Sequence, residues 1–411
     1  MKSFFSDLFQ LISFVQITKP NKRIVFYSEG KDTWVHMQGT IEEFLKIAKI
    51  DVCYISSDMN DPGLKLKNSK YRSFIIRSGH ILNWLFSNIE TDVMVMSTPD
   101  LNNFQLKISK HDVHYVYMQH SLVSLHMAYQ DGAFDYYQTI FCAGPHHIEE
   151  MRLIEEIRGL KAKNLVKHGY SKIDKIIKEH INYKDVSSNS QTHVLIAPSW
   201  GINGIVETIG DKLIEKLLGD GFRVTLRPHP QTIKLSRYKV DEILNKYKAH
   251  PMFNFDSDMS SQISFDESDL MISDWSGAAF EYAFGKNKPV LFIDVPRKIN
   301  NLEYIKIKTL PFEVKLRSEV GAIISLGELE NISNKINNLL LNYDKERQIV
   351  MRNKVLFNIM NADKVSAEKL QEIINGYSEI DLADIIFQYG DERKSRKIAK
   401  KIVSERINKR I

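Results

Sequence analysis

Apolar residues in this chain fall into short blocks separated by stretches of helical period. In the first half, residues 23–28, 51–56, 92–97, 114–118 and 139–143 have the length and β-branched or aromatic content of strands. Helical spacing is clearest between them at 35–48, 80–86 and 145–158. A second series opens at 193–198 and continues through runs at Phe222, Met252, Leu270 and residues 289–293. Helical stretches at 206–218 and 276–284 lie between these runs, and the pattern is helical throughout from Leu329 to Asn375. Such alternation predicts an α/β fold with parallel sheets and crossover helices.

At the N-terminus, Phe4, Phe5, Leu8, Phe9, Leu11, Ile12 and Val15 recur at helical spacing. This stripe either docks on the protein's own core or lies on a membrane surface. A polar face poor in Lys and Arg favours docking. Only Lys2 is basic before Lys19, and no small-residue cleavage site follows, so a signal peptide is not expected. The run Asp185-Val186-Ser187-Ser188-Asn189-Ser190 has linker composition. A chain of 411 residues is long for one core. The expected organisation is an amphipathic helix in 1–20, Rossmann-like domains in 21–184 and 185–345, a helical return in 346–375 and a basic helical tail in 376–411.

Composition narrows the classes. Hydrophobic content of 43% and charged content of 26% are ordinary for a globular protein. A net charge of +5 is no nucleic-acid signature, and no nucleic-acid partner is expected. The two cysteines, Cys53 and Cys142, sit in apolar runs and read as buried thiols of a cytoplasmic protein. No Cys/His cluster has zinc spacing and no carboxylate cluster offers a metal site, so neither metal nor cofactor is expected. No apolar run is long enough to span a bilayer. Neither first strand is followed by Gly-x-Gly-x-x-Gly, which disfavours a dinucleotide dehydrogenase.

Two motifs carry the most chemistry. Arg227-Pro228-His229-Pro230 follows a strand-like run, and Asp274-Trp275-Ser276-Gly277 lies between a strand-like run and a helical one. Ligands of open α/β sheets bind at the carboxyl ends of strands. A hydroxyl at a helix N-terminus suits a phosphate, and Arg and His nearby supply counter-charge. The plainer readings are a rigid Pro-His-Pro turn and a helix cap. In the first half, Tyr115-Val116-Tyr117-Met118-Gln119-His120-Ser121 ends a strand in a His able to act as general base, or simply a structural one. His146 and His147 open a helix and read as solvent-facing or core-capping.

The order of these motifs resembles one family. Gln119-His120 is followed by Gly169-Tyr170-Ser171-Lys172-Ile173-Asp174, Ala197-Pro198-Ser199-Trp200, the Arg-Pro-His-Pro motif, and Ser273-Asp274-Trp275-Ser276-Gly277 with a downstream acid. This is similar to the CDP-glycerol glycerophosphotransferases of teichoic acid and capsule synthesis, which have the GT-B fold, two Rossmann-like domains facing a cleft. The resemblance covers residues 23–345. It implies an acceptor domain first and a nucleotide-donor domain second. His120 would be the catalytic base. Arg227, His229, Ser276 and Gly277 would hold the donor diphosphate, and Ser199, Trp200 and Glu281 the nucleoside and ribose. Glu29 and Lys31, at the end of the first strand, are candidates for touching acceptor, or form a capped turn. Two departures stand out: Ser121 replaces the usual Gly after the catalytic His, and Trp275 and Gly277 replace the usual Tyr and second hydroxyl.

Residues 126–135, His-Met-Ala-Tyr-Gln-Asp-Gly-Ala-Phe-Asp, are similar to strings in related proteins of Gram-negative surface-polysaccharide loci. Residues 378–403 resemble a segment of the 16S rRNA cytosine-N4 methyltransferases without their methyl-donor domain, which implies no methyl transfer. By charge density that segment is a solvated tail.

The expectation is a cytoplasmic transferase, peripheral at the inner face of the cytoplasmic membrane. It would move a polyol phosphate from a CDP-activated donor to a lipid-linked or glycan acceptor. A nucleotide-sugar glycosyltransferase and a non-catalytic partner in polysaccharide assembly remain the alternatives.

Overall fold

The computed structural model describes residues 2–77, 79–103, 106–183, 191–258 and 261–376, with 394, 396–398, 400 and 401. The polar run 185–190 and nearly all of the basic tail lie outside the described residues. The first seven strands are β1 (Ile24–Ser28), β2 (Val52–Ser56), β3 (Tyr71–Ile75), β4 (Val93–Met96), β5 (His114–Met118), β6 (Thr139–Cys142) and β7 (Asn164–Lys167). The remainder are β8 (His193–Ile196), β9 (Arg223–Leu226), β10 (Phe253–Phe255), β11 (Leu270–Ser273), β12 (Val290–Ile293) and β13 (Gly321–Ile324).

A seven-stranded sheet has the order β3-β2-β1-β4-β5-β6-β7, and a six-stranded sheet the order β10-β9-β8-β11-β12-β13. Pairings are parallel from β3 through β5 and throughout the second sheet. Strand order therefore reverses at β1/β4 in one sheet and at β8/β11 in the other, the switch points where such sheets place ligands.

The chain divides into two compact units. One comprises Met1–Met118, Tyr136–Ile140 and Ala362–Ile411, the other Gln119–Asp135 and Phe141–Asn361. In the second unit, alternate residues cover opposite faces of the sheet. Val194, Ile196, Leu270, Ile272 and Leu291 pack with Leu213, Ile214 and Leu217 on one face. Leu195, Met271, Val290 and Phe292 pack with Phe280, Ala283 and Phe284 on the other.

In the first unit the last described long helix, Ala362–Ile374, lies against Lys31–Ile47. Gly39 allows that approach: a Cβ there would stand 2.0 Å from the Asp363 carboxylate. Beside it the Thr40 and Ser366 hydroxyls meet at 2.7 Å. The N-terminal helix Lys2–Val15 docks through buried Leu11 and Phe14, whose ring meets Phe74 edge-on. Buried Asp7 pairs with Arg77 at 2.7 Å. Phe4, Phe5, Phe9, Ile12 and Val15 stay exposed, and Phe4, Ile12 and Val15 line a cavity of about 500 Å³ together with Trp84.

Candidate functional site

The second unit brings together the candidates from five strand ends and loops. β8 and β11 are locked at the switch point by Asp274, whose Oδ1 accepts from Ser199 N (2.7 Å) and Trp275 N (2.6 Å). Trp275 is structural: its indole N–H donates to the Val295 carbonyl and Arg317 lies 3.8 Å over its ring. Ser276 then caps the helix Gly277–Gly285, its Oγ accepting from Ala278 N. The capping oxygen is used, and the hydroxyl proton remains available to donate.

His229 caps the helix Pro230–Leu235, Nδ1 accepting from Gln231 N at 3.1 Å. Burial first, then the charges of Lys298 and Lys172, hold its pKa at about 3. The imidazole is therefore neutral with its proton on Nε2, a hydrogen-bond donor rather than a counter-charge. Both plain readings of the motifs, turn and cap, thus describe the geometry, and neither removes the outward donor.

Arg227 is nearly fully buried. Its Nη1 reaches Asp256 Oδ2 (3.0 Å), the Ser261 carbonyl (2.9 Å) and Ser264 Oγ (2.7 Å). Glu281 is buried and joined to Lys172 at 2.7 Å. The Tyr170 hydroxyl lies 2.8 Å from Glu281 Oε1 and 2.9 Å from the His120 carbonyl, donating to one or the other. Trp200 is half-buried, its ring centroid 6.1 Å from that of His229.

The loop that carries His120 is tied down almost group by group. The Leu122 and Val123 carbonyls accept from His146 Nε2 and His147 Nε2, each at 3.0 Å. Glu313 takes both the backbone N–H and the hydroxyl of Ser124 at 2.8 Å. Glu150 takes Leu125 N. Asn301 Nδ2 donates to the His126 carbonyl, and Asn300 N to that of Met127. Burial lowers His147 to about 4 and holds His146 well below the usual imidazole range, so both are neutral donors, and burial raises Glu150 and Glu313. Polar side chains so deeply buried are satisfied by this loop, which fixes its path. The His120 ring stands edge-on to Tyr129 at 5.6 Å, with the Tyr129 hydroxyl 3.4 Å from Nε2.

The two departures from the family pattern meet in space. A Cβ on Gly277 would stand 2.5 Å from Ser121 Oγ. The extra side chain after His120 occupies the volume that a side chain at 277 would need, so the changes form a complementary pair.

Glu29 and Lys31 lie in the first unit, exposed at the end of β1. No signal in the sequence marks Lys298, Glu150 or Glu313, and Tyr170 and Lys172 stand in a motif that assigns neither a role. His146 and His147 were noticed but carry a job, bracing the His120 loop, that their position at a helix start does not reveal. Among the described residues no three His, Cys, Asp or Glu side chains are grouped to hold a metal ion. No described helix is long and apolar enough to cross a membrane.

Two α/β sheets, with hydrogen-bond donors at the switch point of the second, are the architecture of proteins that bind ligands at the carboxyl ends of their strands. Residues 9–299 match the family model of CDP-glycerol:poly(glycerophosphate) glycerophosphotransferases, well over half the chain, and the chain belongs to that family. Among solved structures it is similar to Methanocaldococcus jannaschii UDP-GlcNAc 2-epimerase in complex with UDP-GlcNAc and UDP (TM-score 0.54, 15% identity, 86% of this chain and 99% of that one). The Neisseria meningitidis UDP-GlcNAc 2-epimerase bound to UDP-GlcNAc is comparable (TM-score 0.53, 13% identity, 85% and 99%). At these identities the likeness establishes the fold alone, and that fold is GT-B.

Residues 344–411 match the MraW methylase family. The chain is 34% identical over 128 residues to ribosomal RNA small subunit methyltransferase H of Fusobacterium nucleatum, covering 28% of this chain and 40% of that protein. The Treponema denticola protein of that name is 63% identical over 35 residues, 8% of this chain and 11% of that one. This chain thus spans about two fifths or less of these relatives' length. The helix Ala362–Ile374 falls inside the matched segment and is nonetheless core of the first unit.

Proposed function

We propose that the protein transfers a polyol phosphate, glycerol phosphate in the simplest case, from a CDP-activated donor to a hydroxyl of a cell-surface glycan or lipid-linked acceptor. The observation that carries this reading is the braced His120 loop meeting the N-terminus of Gly277–Gly285 through Ser121. That contact supports reading His120 as a base next to the donor phosphates. Pre-organisation of this kind suits phosphoryl transfer, which relies on positioning and charge neutralisation.

In the proposed reaction His120 takes the proton of the acceptor hydroxyl. The oxygen attacks the donor's distal phosphorus in line. The bond from that phosphorus to the bridging oxygen breaks, and CMP leaves with the electron pair. Ser276, Gly277 and His229 donate to the diphosphate oxygens. Arg227 fixes the strand end and adds positive field. Ser199 and Trp200 flank the nucleoside, and Glu281 receives ribose hydroxyls. The exposed apolar face of Lys2–Val15 with Trp84 supports peripheral contact with the cytoplasmic membrane, where a lipid-linked acceptor would lie.

The test is turnover of CDP-glycerol with His120→Ala beside wild type. The variant should bind donor normally and lose transfer by about 10²- to 10⁴-fold. Release of a nucleoside diphosphate from a nucleotide sugar, with CDP-glycerol left intact, would instead establish a glycosyltransferase, and wild type that turns over neither donor a non-catalytic partner. Phe5→Glu/Phe9→Glu should release the protein from anionic liposomes.

A further inference from the structure

A diphosphate brings charge that neutral His229 and a helix terminus do not cancel. The cations near the second switch point are unequally available. Arg227 is 3% exposed and held by Asp256 and two further acceptors. Lys172 is paired with Glu281 at 2.7 Å. Lys298 has no ion pair among the described residues: its Nζ rests 3.8 Å over the Trp200 ring. Trp200 is in turn the neighbour of His229, and Lys298 is close enough for its charge to depress that imidazole. The charged groups around Lys298 are Asp274 at the end of β11, Glu207 in the helix Ile205–Thr208, Lys172 across His229, and its neighbour Arg297. Both Glu207 carboxylate oxygens are buried without a hydrogen-bond partner among the described residues. A carboxylate in that condition calls for a partner the protein itself does not supply.

We propose that Lys298 supplies the charge that meets the donor's diphosphate, giving up its seat on the Trp200 ring to the nucleoside. This deepens the donor-site reading above and rests on it. A cation–π contact is weaker than charge-assisted hydrogen bonds to phosphate, so the exchange is favourable when nucleotide arrives. The nucleoside that takes the indole face brings hydroxyl or amino donors into the neighbourhood of Glu207. Lysine suits a role that requires moving, because its charge sits at the end of a flexible stem.

Burial lowers Lys298 to about 8, against the opposing pull of Asp274 and Glu207. The ammonium that phosphate needs is therefore present below that value and lost above it. Affinity for CDP should fall as pH rises through about 8, and affinity for cytidine should not.

The experiment is calorimetric titration of the full chain with CDP, CMP and cytidine. Lys298→Met should weaken CDP by about 10- to 100-fold, CMP by less, and leave cytidine unchanged or tighter. Equal losses for CDP and cytidine would overturn the proposal in favour of a role in packing. Unchanged CDP affinity in Lys298→Met would overturn it while leaving the donor site standing. Wild type that binds none of the three ligands would overturn both. Should Lys298→Met fail to fold, the pH arm decides: wild type must lose CDP affinity through about 8, and Lys298→Arg must stay flat. A flat wild-type profile sinks the idea.

Discussion

β1 and β8 occupy the same place in their sheets, yet their carboxyl ends carry opposite chemistry. After β1 the corner closes on itself. Asp61, fully buried, accepts from the Ser28, Tyr54 and Ser56 hydroxyls and from Gly63 N. Asp58 takes Lys31 N and Asn60 N. Acid meets internal donor there, and an incoming phosphate would face carboxylates. After β8 and β11 the internal acid, Asp274, consumes only the two backbone N–H groups that lock the strands. His229 Nε2, the start of Gly277–Gly285 and Lys298 are left near it. One topology thus serves a corner closed on its own side chains in the first unit and a corner with uncommitted donors, the proposed donor site, in the second. The difference lies in whether the acid at the strand end is saturated by side-chain hydroxyls or spent on backbone.

The sharpest way to break this contrast is Asp61→Ala. It leaves three hydroxyls and an amide without their acceptor. Removing one partner of such a buried network costs about 3–5 kcal/mol. Thermal or denaturant unfolding should show that loss while CDP affinity of the folded protein stays normal. Weakened CDP binding with unchanged stability would make the β1 corner part of the donor site.

The same contrast explains what could be read in advance. Central strands such as β1, β2 and β11 are buried at every position, and their continuous apolar runs predict them to within a residue or two. The missed strands β3, β7 and β13 are edge strands with mixed burial, so their sequences lack that run. The stretch 206–218, expected as one helix, breaks at Ile209 between Ile205–Thr208 and Gly210–Gly219. No Gly-Pro signal marks that break beyond Gly210 itself. Arg227, His229 and Ser276 can be named as candidates from sequence because each follows a strand within three residues. Lys298 cannot, since a single lysine in a loop looks like any solvated lysine until the fold places it, and Lys172, in the first turn of the helix Ser171–Asn182, looks like a lysine on a solvated helix face. Charge availability was also invisible: Arg227 looked like the counter-charge until Asp256 was seen beside it.

The Ser121–Gly277 contact sharpens the side proposed to hold the donor. Gly277→Ser alone should lower stability or donor affinity by about 1–3 kcal/mol, the usual cost of overpacking. Ser121→Gly in the same chain should return most of it, because the two side chains compete for one space. Additive effects of the two changes, measured as a double-mutant cycle, would show the residues to be independent.

A smaller effect is expected at the exposed end of β1. Glu29→Ala and Lys31→Ala should leave stability and CDP affinity within about 0.5 kcal/mol of wild type. If these residues touch acceptor, KM for acceptor rises in both variants. Loss of CDP affinity in either would place donor on the wrong side of the contrast.

The smallest effect concerns the basic tail. Its resemblance to methyltransferases runs from residue 344, but the described part of that stretch already belongs to the transferase fold. Leu370 and Ile374 are buried, and Arg23 donates to the Ile374 carbonyl at 2.6 Å. A cut made before residue 376 would therefore remove core, whatever family the segment resembles. Residues 377–411 lie beyond the last of these contacts and carry no donor or base candidate. Truncation after Gly376 should leave the melting temperature and transfer rate unchanged, whereas truncation before Ala362 should unfold the first unit by stripping the partner of Lys31–Ile47. If the shorter deletion also unfolds the protein, the tail is part of the fold, and the boundary between transferase and methyltransferase-like sequence has to be drawn further toward the C-terminus.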